Sequence, residues 1–396
     1  MAPKILMISY YTPPIGTSGA VRVTKFAKYL KYFKWEPIIL TTKITAYYHY
    51  DYTLLNDLNN IKIYRSETLD LGRILHLLKI HVPPPTEAQT SLSLNLNFLL
   101  YPDAKRFWIP FASVLGKKIV NKEKPNAIFA TSPPFSTLIV GVLLKRKFEI
   151  PLIVDFRDPW PTGYKPPPKF LQKKLIKLRN FIINSADKVL VINDTIKEEL
   201  NCTNAVILPN GYDPEEFDRP SKSVAKFSIV HAGNIVEVLE SLILVANSIK
   251  DFKETKLVLV GPCPPDIRRK LQQFENIVCL GALSHQETAA VLSGASVLLY
   301  ISKPNQAVGI KFYEYLGAKK PILVIGKFPK EIDVLLKKHS VGIAVSLNPK
   351  EIRHFIHNLI LKKFTFSPIN VSEYSYFVIV QKLEKIFKEL LCLQNF

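Results

Sequence analysis

Residues 308–326, VGIKFYEYLGAKKPILVIG, place a lysine and a glutamate three positions apart in a short helical run that leads into an apolar strand. At that spacing Lys311 and Glu314 share one helix face. With the helix starting near Val308, its partially positive N-terminus adds to Lys311 and makes a seat for a phosphate. Glu314, one turn deeper, can accept hydrogen bonds from a pair of hydroxyls. A ribose diol beside a diphosphate suits that arrangement. The plainer reading is a surface ion pair worth roughly 0.3–0.5 kcal/mol.

Other residues with chemistry follow strand-like runs. PLIVDF leads into RDPW, so Asp155, Arg157, Asp158 and Trp160 gather at a strand end, where they can meet a ligand. The competing reading pairs Arg157 with Asp158 or Asp155 to pin the loop. TSPPFS follows the strand AIFA, and its hydroxyls, Ser132 included, either hold a polar ligand or cap a helix. Near the N-terminus a turn-rich segment contains Gly16 and Gly19, and Arg22 opens the next helix. Glycines there let backbone N–H groups approach an anion, or simply make a flexible turn. The spacing is not Gly-x-Gly-x-x-Gly, so this is no dinucleotide fingerprint. HAGN puts Gly233 and Asn234 at a second strand-to-helix turn, another candidate anion seat.

The elements that must carry these residues repeat one order. KILMISYY reads as a strand, and Val23, Phe26, Ala27 and Leu30 follow at helical spacing. EPIILTT is the next strand. The second half opens alike: FSIVHAGN, a helical run, then KLVLVGP, with NIVCLGAL, ASVLLYIS and PILVIG as further strands. Strands alternating with helices imply parallel sheets covered on both faces. The expected class is α/β with two Rossmann-like doubly wound domains, and ligands belong beyond the C-terminal ends of the strands. Residues 1–215 make the first domain, with 69–99 as an insertion, and 216–375 make the second. Residues 376–396 form an amphipathic C-terminal helix.

Composition narrows the partners. Fifty-three Lys and Arg against 33 Asp and Glu give a net charge of +20, which suits an anionic partner or a solvated basic surface. Nucleic acid is disfavoured, because no reading motif is present. The four cysteines, Cys202, Cys263, Cys279 and Cys392, are too scattered for a zinc cluster or a disulfide framework, so no metal is expected. MAPKILMISYY reads as a strand and not as a signal peptide. No apolar stretch reaches the roughly 18–20 residues of a membrane span, and the expected location is cytoplasmic. Residues 165–182, KPPPKFLQKKLIKLRNFI, form a basic amphipathic run. It suits either an anionic membrane surface, with the protein peripheral on the cytoplasmic face, or a domain helix with a solvated basic side.

Taken in order, SPP at 132–134, RDPW at 157–160 and KFYEYL at 311–316 resemble motifs of the retaining GT-B glycosyltransferases of the family-4 type. YYTPPIGTSGAVR, ADKVLVIN, LPNGYD and LSGASVLLY add to the likeness. It runs over nearly the whole chain outside 69–99. The resemblance implies two Rossmann-like domains facing across a cleft, with the nucleotide of a nucleoside-diphosphate sugar held by the C-terminal one. Glu314 would then bind the ribose and Lys311 would lie near the diphosphate. The Gly16, Gly19 and Arg22 loop would cover the phosphates and acceptor. Arg157 and Asp158 would shape the sugar and acceptor site. The C-terminal helix would cross back to the N-terminal domain. Such enzymes transfer a sugar to an acceptor hydroxyl with retention and without metal or cofactor, often to lipid-linked or surface glycans. Two departures stand out. The commoner pattern has two glutamates with seven residues between them, and Gln306 occupies the first position here. After Gly233 the chain has Asn234, Glu237 and Glu240 where many members carry cations, leaving Lys303 or Lys311 to hold the diphosphate. A catalytically silent partner subunit and a nucleotide-sugar epimerase are the alternatives.

Overall fold

The computed structural model describes residues 2–80, 82, 100–160, 168–302, 308–363 and 370–392. The chain divides into two compact units. One gathers the chain up to Asn210 together with the C-terminal helix from Tyr376, and the other spans Gly211–Ser375.

The first unit is built on a parallel sheet of β1 (Lys4–Ile8), β2 (Glu36–Thr42), β3 (Lys62–Ser66), β4 (Ala127–Ser132), β5 (Leu152–Phe156), β6 (Lys188–Val191) and β7 (Val206–Ile207). Its order among the described residues is β3-β2-β1-β4-β5-β6-β7. The order reverses direction between β1 and β4, so the crevice of a doubly wound sheet opens there. In the helix Ser18–Leu30, Val23, Phe26, Ala27 and Leu30 are all buried, as their spacing requires. The C-terminal helix Tyr376–Cys392 belongs to this unit and packs against Ser18–Leu30. Its inward residues include Ile379, Leu383, Ile386, Phe387 and Leu390. Phe387 lies 5.4 Å from the Trp35 ring, and Trp35 Nε1 donates to Glu384 Oε1 at 3.3 Å.

The basic run at 165–182 supplies the helix Lys169–Ser185, whose inward side is Leu171, Leu175, Arg179 and Ile182. Phe170 stays outside at 68% exposure and Phe181 at 45%. The helix thus has a core face, but two aromatic rings remain among its outward lysines. No described helix is long and apolar enough to cross a membrane.

The second unit carries β8 (Phe227–Ala232), β9 (Thr255–Val260), β10 (Ile277–Gly281), β11 (Val297–Ser302), β12 (Ile322–Gly326) and β13 (Gly342–Val345). They run in the order β10-β9-β8-β11-β12-β13, all parallel. Successive residues feed opposite faces. Val230, Val258, Leu298 and Val324 join one apolar core, while Ile229, Leu257, Leu299 and Leu323 join the other. Both faces are covered, which is the expected doubly wound α/β class. The direction reverses between β8 and β11.

Candidate functional site

In the first unit the expected site residues converge on the ends of β1, β4 and β5, but most of them face inward. Arg22 has no exposure, and its guanidinium holds both Asp155 carboxylate oxygens, from Nε at 3.0 Å and from Nη2 at 2.9 Å. It also donates to the carbonyls of Leu208 and Pro209 at 2.8 and 2.7 Å. Thr131 Oγ1 donates to the same Asp155 carboxylate at 2.7 Å. A bidentate, fully bonded pair is what allows two charges to sit in the core. This corrects the expectation that Arg22 meets a ligand, because its donors are committed to the protein's interior. Asp155 takes Arg22 as its partner instead of Arg157.

Arg157 is buried and donates to the carbonyls of Ser132 (2.9 Å), Gly19 (3.1 Å) and Pro133 (3.2 Å). It therefore ties together the loops after β1, β4 and β5. Ser132 is likewise fully buried, with its hydroxyl on the Asp155 carbonyl at 3.2 Å, a second correction to a ligand-facing reading. Trp160 stacks on Phe135 with 4.2 Å between centroids. Gly16 sits against His49, whose ring a β-carbon there would meet at 2.5 Å. Of these charges, Asp158 is the one left exposed.

In the second unit Lys311 and Glu314 lie on the helix Ile310–Ala318, which follows β11. The helix starts at the Gly309 cap, whose N–H donates to Tyr300 Oη at 3.2 Å. Gly317 lets this helix approach Tyr212, whose ring atoms would lie 2.6 Å from an added β-carbon. The helix seats Glu314 at 3% exposure, while the Lys311 side chain is one-third exposed. Lys311 Nζ donates to Glu314 Oε2 at 2.8 Å, so the pair is not a surface one.

Glu314 has a second partner that sequence spacing did not disclose. His285 Nε2 lies 3.0 Å from Glu314 Oε1, and His285 Nδ1 lies 2.9 Å from Glu216 Oε2. Burial alone would lower the imidazole's pKa, but the two carboxylates outweigh it and raise it to about 10. Burial alone would raise that of Glu314, but Lys311 and His285 lower it to about 2. The result is an alternating chain of charges, Lys311, Glu314, His285 and Glu216. His285 opens the helix His285–Ser293, which Ser284 and Glu287 start with a capping box. That S-x-x-E pattern was the available sequence signal. Glu216 lies in the short helix Pro214–Phe217, inside a stretch that reads as a boundary.

The Gly233 turn is close-packed. Gly261, with φ +152°, would put a β-carbon 1.9 Å from the Gly233 carbonyl oxygen, so only glycine fits. Asn234 Oδ1 accepts from the N–H of Val236 at 3.1 Å, and its Nδ2 donates to Glu237 Oε1 at 2.8 Å. Asn234 thus caps its own turn and holds a carboxylate where an anion seat was expected. Lys303 and Gln306 lie outside the described residues.

The second unit therefore offers a one-third-exposed lysine at a helix start, a buried carboxylate with acceptor capacity left, and the reversal of strand order between β8 and β11, beside which doubly wound sheets bind ligands. The family model for Glycosyltransferase Family 4 matches residues 81–216. Among curated proteins nothing matches the chain. Solved structures match it end to end. Sucrose-phosphate synthase from Thermosynechococcus elongatus has a TM-score of 0.67 at 14% identity, over 99% of this chain and 100% of that one. A glycosyltransferase from Rickettsia africae has 0.65 at 16%, over 98% of each chain. Anabaena HepE, solved with UDP and glucose, has 0.63 at 13%, over 98% and 99%. A UDP-N-acetylglucosamine 2-epimerase from Methanocaldococcus jannaschii matches more weakly, at 0.55. At these identities the likeness is one of fold: two Rossmann-like parallel-sheet units, as in GT-B glycosyltransferases.

Proposed function

We propose that this protein is a retaining glycosyltransferase that moves a sugar from a nucleoside-diphosphate sugar to an acceptor hydroxyl. The observation that carries the reading is the Lys311–Glu314 pair at the start of the helix after β11. A carboxylate offers about four lone-pair sites. Lys311 and His285 use one each, which leaves two for a ribose diol. The Lys311 ammonium and the helix N-terminus supply positive charge where a departing diphosphate gathers negative charge. The acceptor would attack on the face from which the diphosphate departs, so the configuration is retained. The pair's chemistry requires neither metal nor cofactor.

A lipid-linked or surface glycan is the proposed acceptor, and the peripheral membrane contact is proposed at the helix Lys169–Ser185, where Phe170 and Phe181 stand among lysines. The epimerase reading is favoured by one observation, the fold shared with 2-epimerases, and it needs the same donor without an acceptor.

The test is a thermal-shift screen with UDP, GDP, ADP and dTDP, each alone and as a sugar conjugate. A ligand at about 100 times its Kd stabilises by about 2.7 kcal/mol. Stabilisation by one nucleotide is expected, and a flat response to all of them would rule the donor site out. Product formation with an added glycan acceptor then separates transfer from epimerisation.

A further inference from the structure

β8 and β11 are paired at Ile229–Val297 and Val230–Leu298 and then separate. The gap is bridged by side chains. Tyr315 Oη accepts from the Ala232 N–H at 2.8 Å and donates to the Leu299 carbonyl at 3.3 Å. His231 reaches the same carbonyl from Nδ1 at 3.1 Å. A carbonyl can only accept, so Nδ1 carries the proton and the Nε2 of a neutral ring presents a lone pair. His231 is 7% exposed, and its Nε2 has no hydrogen-bond partner among the described residues. A β-carbon on Gly233 would lie 3.5 Å from that Nε2, and Gly233 has none, so room is left beside it. Buried polar atoms are nearly always partnered, and an orphan in a binding crevice calls for a partner that arrives with the ligand.

We infer that His231 Nε2 is a ligand contact, an acceptor kept for a hydroxyl of the molecule bound at the diverging ends of β8 and β11. The inference rests on the donor-site reading, and the hydroxyl is one of the ribose or sugar hydroxyls of a nucleoside-diphosphate sugar. A phosphate oxygen does not suit the position. It is itself an acceptor, and protonating Nε2 to serve it is opposed by burial first and then by the nearby Lys311, which hold the ring's pKa down at about 4.

The experiment uses the full chain with ring-15N-labelled histidine, titrated with UDP, GDP, ADP and dTDP and with their glucose conjugates. The His231 signal is identified by its loss in His231→Phe, which keeps the ring's bulk. The expected result is that Nε2 stays unprotonated and shifts in the direction of an accepted hydrogen bond when one ligand binds. His231→Phe should weaken that ligand by about three- to tenfold. His231→Gln, whose amide oxygen can accept, should recover part of the loss. A silent Nε2 at saturating ligand, or equal affinity in His231→Phe, overturns the inference and leaves the donor-site reading standing; a buried water on Nε2 would give that outcome. Conversion of Nε2 to the protonated form also overturns it, in favour of a phosphate contact. Failure of the unaltered protein to bind any of the ligands would overturn both.

Discussion

His285 Nε2 lies 3.0 Å from Glu314 Oε1, on the side of the carboxylate away from Lys311. The imidazole fixes Glu314 from behind, while Glu216 holds the other ring nitrogen. A buried carboxylate with a cation at each oxygen stays ionised, and its orientation is set before any ligand arrives.

Glu314→Gln should weaken binding of the preferred nucleotide by about 10- to 100-fold, the equivalent of losing one charge-assisted hydrogen bond of about 1.5–3 kcal/mol. Calorimetry on the folded variant measures it. A variant that is less stable yet binds nucleotide as tightly as before would remove Glu314 from the ribose and leave it a purely structural group.

His285 should impose a pH dependence on stability. Its folded pKa of about 10 stands above its ordinary 6.5, so the folded state holds the extra proton between those values. The contribution is therefore complete below pH 6.5 and is lost as pH rises through 10. Glu314 works in the opposite sense. Its pKa falls from 4.5 to about 2, so its share is present above pH 4.5 and lost as pH falls toward 2. The stability difference between the wild type and His285→Gln should be constant from about pH 5 to 6.5 and shrink above that. Urea titrations at several pH values read it directly. A difference that stays flat from pH 6.5 to 10 would mean that the imidazole is neutral in the folded protein.

Arg22→Met should destabilise the first unit by about 3–5 kcal/mol, because Asp155 would be left as an uncompensated buried charge. Pairing it with Asp155→Leu removes both charges and should recover much of the loss. If the single and double variants unfold at the same denaturant concentration, the pair is not the electrostatic unit described above.

Phe387→Ala should cost about 3–5 kcal/mol, since this ring is fully buried against Trp35 and Phe129. Phe377→Ala, on the exposed side of the same helix at 39% exposure, should cost less. Hydrogen exchange in the helix Ser18–Leu30 should rise more in the first variant than in the second, whose ring packs on Tyr29 at 6.0 Å. Equal protection in both would mean that the C-terminal helix contributes little to the first unit.

The helix Lys169–Ser185 exposes Lys169, Lys173, Lys174 and Lys177. At about 1 kcal/mol for each cation near an anionic surface, the four supply about 4 kcal/mol, screened over about 10 Å at 0.1 M salt. Sedimentation with vesicles should show binding that needs anionic lipid and weakens with salt. Equal binding to neutral vesicles, or none at low salt, would assign the basic face to solvation or to an acidic acceptor.

The alternation of strands and helices was legible in the chain because both periodicities are local. EPIILTT became β2 residue for residue, and Val23, Phe26, Ala27 and Leu30 are buried at their helical spacing. Lys311 and Glu314 were legible for the same reason, being one helical turn apart. What the side chains at the strand ends do was not. Arg22 meets Asp155 across 133 positions, and His285 meets Glu314 across 29. No local pattern marks such pairs, because each forms only where parallel strands bring distant loop ends to one edge of a sheet. The arginine that reads as a ligand contact is enclosed because Asp155 and the carbonyls of Leu208 and Pro209 converge on it. The His231 nitrogen that has no partner among the described residues lies just past the last paired residues of β8 and β11. Composition and spacing determined which residues could do chemistry. Only the packing of the sheets decided which of them are enclosed in the fold and which keep an open side.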